Sequence, residues 1–140
     1  MISPDSKIIA VDFDGTIVQD AYPSIGKPML FAFETLKMLQ NDGHRLILWT
    51  YRYGTKLQEA VDFCKESGIE FYAVNKSYPE EKYDESQASR KIHADVFIDD
   101  RNLGGMRGWG EIYQAISGQE AKLEQQQSRK RNKKRGLFRF

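Results

Sequence analysis

Ile8-Ile9-Ala10-Val11-Asp12-Phe13-Asp14-Gly15-Thr16 decides how the rest of this chain is read. Four apolar residues with strand character run into two carboxylates, a glycine and a hydroxyl. Period-two spacing sends Asp12 and Asp14 to the same side if the strand geometry persists, and Gly15 lets the backbone turn sharply behind them. Two carboxylates held together repel each other unless a cation or a shared proton intervenes, which points to a hard divalent metal, magnesium first. A strand closed by an Asp-Gly turn is the plain alternative for this segment taken alone.

Later segments repeat the pattern. Arg45-Leu46-Ile47-Leu48-Trp49-Thr50 reads as a second apolar strand that ends in a hydroxyl, and Ala94-Asp95-Val96-Phe97-Ile98 as a fourth that runs into Asp99-Asp100. Between them the spacing predicts helices. Pro28 opens one, with Met29, Phe33 and Leu36 on a single stripe and a stop at Gly43. Thr55 and Gln58 form a capping box for the next, whose stripe is Leu57, Ala60, Val61 and Cys64. Phe71–Val74 is a short third strand, Tyr78–Lys91 a polar helix or irregular connection, and Trp109, Ile112, Tyr113 and Ile116 mark a last core helix. Strands alternating with helices predict a three-layer α/β/α, Rossmann-like parallel sheet of about four to five strands. Polar strand ends then converge on one edge, where open α/β sheets bind ligands.

The chain has 140 residues, 40% of them hydrophobic, enough for one domain with a sizeable core. No apolar run approaches the roughly 20 residues that span a bilayer, and the opening residues lack signal-peptide character, so the expectation is a soluble cytoplasmic protein without membrane contact. Cys64, the sole cysteine, sits on an apolar stripe and reads as a packed thiol. Charge is unevenly placed. Arg129, Lys130, Arg131, Lys133, Lys134, Arg135 and Arg139 make seven of the 21 basic residues, and the remaining 14 stand against all 20 acidic ones, a formal −6. The expected organisation is a core over residues 1–118, a helical extension from Gln119 to Gln127, and a basic tail from Ser128 to Phe140 that is disordered or ordered only on binding. That tail suits nucleic-acid phosphate, with Phe138 and Phe140 available for stacking.

Together, Asp12-Phe13-Asp14-Gly15-Thr16, Leu46-Ile47-Leu48-Trp49-Thr50 and Val96-Phe97-Ile98-Asp99-Asp100 resemble three motifs of the haloacid dehalogenase-like (HAD) superfamily of phosphohydrolases. The resemblance spans roughly Lys7 to Ile116. It implies a magnesium-dependent phosphomonoesterase acting through an aspartyl-phosphate intermediate. Asp12 would be the nucleophile, Asp14 the general acid and base, and Thr50 a ligand of a phosphate oxygen. The Asp12 side chain, the Asp14 backbone carbonyl and the Asp99 side chain would hold magnesium, with Asp100 helping directly or through water. For the lysine that steadies nucleophile and phosphate the sequence offers Lys91, with Lys76 as competitor and Arg90 as a further charge. Tyr51 and Arg52 are placed for substrate contact or for helix entry.

Many relatives insert a cap domain. Here the segments between Gly15 and Arg45 and between Tyr51 and Ile92 are filled by the elements already assigned, so a capless core is expected, covered by a flap over Ile17–Lys27 or by a second subunit. The partner is then a phosphorylated substrate of unassigned class. The rival reading is a noncatalytic nucleic-acid-binding or regulatory protein on the same fold.

Overall fold

The computed structural model describes residues 5–137, and of residues 119–124 and 137 only the backbone. Phe138, Arg139 and Phe140 lie outside the described residues, and with them the stacking expected of the two aromatics. The chain divides into two compact units, Met1–Met106 and Arg107–Phe140.

The first unit is built on four parallel strands, β1 (Ile8–Val11), β2 (Arg45–Leu48), β3 (Ala73–Val74) and β4 (Val96–Ile98), in the spatial order β3-β2-β1-β4. An α/β fold with a parallel sheet is what the alternation predicts, and a Rossmann-like domain is what it makes. The chain steps from β1 outward to β2 and β3, then returns to the far side of β1 for β4. That reversal puts a topological switch point at the C-terminal end of β1, between β1 and β4.

Register follows from the pairing of Val11 with both Leu48 and Ile98. The ladder runs one step further, since the Asp12 amide donates to the Ile98 carbonyl at 3.0 Å and the Trp49 amide to that of Val11 at 2.8 Å. Asp12 and Asp99, each the residue after a paired strand end, are thereby brought to neighbouring positions.

Helices α1 (Ala32–Asn41) and α2 (Gly54–Glu66) cover one face of the sheet. Phe63 of α2 meets Phe33 of α1, with ring centroids 5.9 Å apart, and the edge of Phe13 at 6.4 Å. Strand alternation sends Ala10, Ile47 and Ala73 to the opposite face, where Ile92 packs on them and Trp49 and Ala94 flank the cluster. No helix forms between Tyr78 and Lys91; the segment is an irregular connection with two short turns. Weak apolar periodicity leaves a helix there without a face to bury.

Two boundaries differ from expectation for identifiable reasons. Helix α1 starts at Ala32 instead of Pro28 because Lys27–Met29 is already engaged: Gln19 donates to the Lys27 carbonyl, Met29 donates to that of Ile17, and Val18 bridges Pro28. Residues 17–28 thus form the narrow flap, with Ile17 and Val18 fully buried at its base. Helix α2 starts at Gly54, which places Thr55 inside it, so the Thr55–Gln58 capping box does not form and Gln58 bonds Asp62 instead. No further folded unit is inserted between Gly15 and Arg45 or between Tyr51 and Ile92, as the capless reading requires. Cys64 is fully buried and burial pushes its thiol up to about 12, so it is a packed thiol.

The second unit holds α3 (Trp109–Ser117), whose buried residues are Trp109 and Ile112, and α4 (Gln119–Leu137). Gly118 joins them with a φ of +78°, a conformation that suits glycine at a helix C-terminus. The last core helix falls in the second unit, which begins at Arg107, and the basic run lies in α4 as far as Leu137. Glutamine, lysine and arginine are good helix formers, which allows a helix with polar residues on every side. Among the described residues, no helix is long and apolar enough to cross a membrane.

A candidate metal and phosphate site at the switch point

A cavity of about 330 Å³ opens at the C-terminal edge of the sheet, lined by Asp12, Asp14, Trp49, Thr50, Tyr51, Asp99 and Arg101. Three strand ends supply these residues, as the polar endings of β1, β2 and β4 require. Carboxylate oxygens of Asp12, Asp99 and Asp100 lie within 4.8 Å of one another, with Asp12 buried and the other two half-buried. Such crowding is costly without a cation. Burial, the Asp100 carboxyl and the charge of Asp99 together push Asp12 up to about 7.

Thr16 organises this group. Its hydroxyl is fully buried, accepts the Asp100 amide at 3.0 Å and donates to Asp12 Oδ2 at 3.0 Å, with Asp100 Oδ1 at 3.3 Å as its alternative acceptor. Gly15 makes the approach possible. Its φ is +84°, and a Cβ there would run into the Asp100 carboxylate. Asp99 is held by the Arg101 amide, which donates to Oδ1 at 2.8 Å.

Thr50 stands at the opposite side of the cavity. Its amide donates to Asn75 Oδ1 at 2.8 Å, and its hydroxyl accepts the Arg52 amide at 3.1 Å, which forms the tight turn before α2. Both bonds leave the threonine fixed at the strand tip.

Asp14 is held differently from the other acids. Its side chain lies outside the acidic group and pairs with Arg52, Nε to Oδ2 and Nη2 to Oδ1, both at 2.7 Å, with neither side chain exposed. Any metal contact from Asp14 is therefore left to its backbone carbonyl. Arg52 in turn is committed to internal partners, although it also lines the adjoining cavity. Nη1 donates to the carbonyls of Pro23 and Lys56 and Nη2 to that of Ser24, so each of the five guanidinium N–H groups has an acceptor. The rings of Phe13 and Tyr22 lie against it, each centroid 5.1 Å away. One buried cation thus ties the flap and α2 to Asp14.

Lys91 is exposed and lines neither this cavity nor the one beside it. Lys76 and Arg90 line the adjoining cavity. Sequence reading passed over Thr16, Asn75 and Arg101 as site residues. Each had a signal: Thr16 closes the first motif, Arg101 follows the aspartate pair, and Asn75 is the polar residue just beyond β3.

The fold and site define the class: a Rossmann-like α/β domain with a carboxylate cluster at its switch point. No known family profile matches the chain, and no curated protein does either. It is similar to the solved structure of a conserved protein from Bacteroides thetaiotaomicron, 55% identical, with a TM-score of 0.77, over 81% of this chain and 92% of that one. At that identity and coverage, the chain belongs to the same family as this conserved Bacteroides protein.

Proposed function

We propose that the protein is a magnesium-dependent phosphohydrolase that cleaves phosphomonoesters through Asp12, in the manner of the HAD superfamily its motifs resemble. The observation that carries this reading is the meeting of Asp12, Asp99 and Asp100 within 4.8 Å in one cavity with Thr50. Hard oxygen donors, a buried carboxylate pushed up to about 7 and the crowding of three acids fit a small divalent cation. Asp12, Asp99 and Asp100 would hold it, and its charge would screen anionic nucleophile from anionic phosphate.

The chain's own groups then divide the work. An Asp12 oxygen attacks phosphorus as the bond to the leaving oxygen breaks, and water later cleaves the aspartyl-phosphate. Thr50 binds a phosphate oxygen. Asp14 is the proton donor to the leaving oxygen in this reading, a step that requires its pair with Arg52 to open, since both oxygens now accept from the guanidinium. Phosphate release from an aryl phosphate, with and without Mg²⁺, tests the proposal: Asp12→Asn should abolish it, and activity surviving that change would refute the nucleophile.

A second reading, nucleic-acid binding, is favoured by one observation, the exposure of Arg129, Lys130, Arg131, Lys133, Lys134 and Arg135 along α4. Truncation after Gln127 should remove salt-dependent affinity for an oligonucleotide; unchanged affinity would dismiss it. Cytoplasmic location, and a second copy acting as lid, belong to the same proposal and follow from a phosphorylated metabolic or nucleic-acid substrate meeting an uncapped site.

A further inference from the structure

Beside the site lies a second, larger cavity of about 730 Å³ that shares Trp49, Thr50 and Tyr51 with the first. The three shared residues make the two neighbours, so a group esterified to a phosphate at Asp12 has this cavity beside it. Its size is that of an ordinary small-molecule site, well beyond the needs of a phosphoryl group. The chemistry of its walls is specific. Tyr51, Tyr53 and Tyr83 line it and are 53%, 78% and 55% exposed, with the Tyr51 ring leaning on Tyr22 at 5.1 Å between centroids. Two cations accompany them. Lys76 is half-buried, and Arg90 is fixed by a 3.1 Å bond from Nε to the Tyr83 hydroxyl, with its guanidinium 5.8 Å from that ring.

Two carboxylates temper this charge. Arg90 also meets Glu85 at 3.6 Å, an exposed pair that competes weakly in water, and Glu81 lines the cavity with Oε1 accepting the Ser77 amide at 3.1 Å. A lipid chain would find too much charge here. Aromatic faces beside cations match bases and phosphates, which stack on the first and pair with the second.

We propose that this cavity is the leaving-group subsite and takes a nucleotide carrying a second phosphate, the base on the tyrosine faces and the second phosphate at Lys76 and Arg90. The inference rests on the phosphohydrolase reading above. Hydrolysis breaks the bond between phosphorus and the ester oxygen at Asp12; the oxygen leaves with the nucleotide as a hydroxyl, and water supplies the fourth oxygen of inorganic phosphate. The ligand is either a free nucleoside bisphosphate or the phosphorylated end of an oligonucleotide, since both present a base and a second phosphate.

The test is phosphate release by the full chain with Mg²⁺ from adenosine 3′,5′-bisphosphate, a 5′-phosphorylated tetranucleotide, glucose 6-phosphate and p-nitrophenyl phosphate. One of the two nucleotide substrates should exceed glucose 6-phosphate at least tenfold in kcat/KM, and whichever does so identifies the source. Lys76→Gln and Tyr83→Ala, both outside the packed core, should each lower that ratio about fivefold or more, the scale of one lost stacking or charge contact. Turnover of p-nitrophenyl phosphate with no nucleotide preference, or a preference untouched by both variants, overturns this inference and leaves the hydrolase standing. No turnover, with adenosine bisphosphate quenching tryptophan fluorescence and both variants weakening that binding, refutes the hydrolase and keeps the nucleotide subsite. Neither turnover nor quenching overturns both.

Discussion

Replacing Arg52 by methionine tests the densest polar arrangement in the protein. The guanidinium and the Asp14 carboxylate are fully buried and joined by two 2.7 Å bonds. Removing one partner of a buried pair strands the other charge, which costs about 3–5 kcal/mol. The Pro23, Ser24 and Lys56 carbonyls lose their donors too, at roughly 1 kcal/mol each where water cannot replace them. The expected loss is therefore about 4–6 kcal/mol, a large part of the 5–15 kcal/mol typical of a domain, and a fall in Tm of roughly 10–20 °C. Urea unfolding measures it. Adding Asp14→Asn to Arg52→Met should recover about 2 kcal/mol or more, because the stranded charge is gone. Lysine at position 52 should rescue little, since one ammonium cannot reproduce the two-pronged contact and three carbonyl bonds. A loss below about 1 kcal/mol, or no recovery in the double variant, would refute the reasoning that a buried ion pair fastens flap to site.

Other expectations concern the acidic group. Asp12 keeps its proton to about pH 7 in the folded chain against 3.8 when free, so the folded state binds more protons between those values. Stability of the metal-free protein should then fall as pH rises from about 4 through 7, and urea midpoints at pH 5 and 8 should show a shallower fall in Asp12→Asn; an identical slope would remove Asp12 as its source. Thr16→Val should cost about 1–2 kcal/mol by stripping the Asp100 amide and Asp12 of a shared hydroxyl, and should weaken Mg²⁺ binding measured calorimetrically. Gly15→Ala should destabilise by about 1–3 kcal/mol and reduce Mg²⁺ affinity more than Thr16→Val does, because both the +84° φ and the Asp100 carboxylate oppose a methyl group. An alanine variant with wild-type affinity would show that Asp100 can retreat at no cost.

Strand character was legible because it is local. The apolar runs at Ile8–Val11 and Arg45–Leu48 and the shorter ones around Ala73 and Phe97 mark elements that no distant contact has to create. Carboxylates and hydroxyls at the ends of those runs could be assigned to one edge as soon as the sheet was taken to be parallel, since parallel strands end together. Boundaries were less legible. Pro28 and Met29 have helical credentials, yet the flap claims their backbone groups, and that competition depends on Ile17 and Val18 lying buried beneath it. The basic run Arg129–Arg135 reads as solvated charge, and composition alone does not distinguish a solvated coil from a solvated helix.

The sequence by itself determined which polar residues stand at the strand ends, because acids, hydroxyls and glycine are placed by the covalent chain one or two positions after each apolar run. Their partners were decided only in three dimensions. Asp14 could be matched to Arg52, 38 residues away, only once the flap and α2 had packed. Spacing along a strand says which way a side chain leaves the backbone. What it then meets depends on which distant segment buries it, and a buried charge takes whatever opposite charge that packing brings.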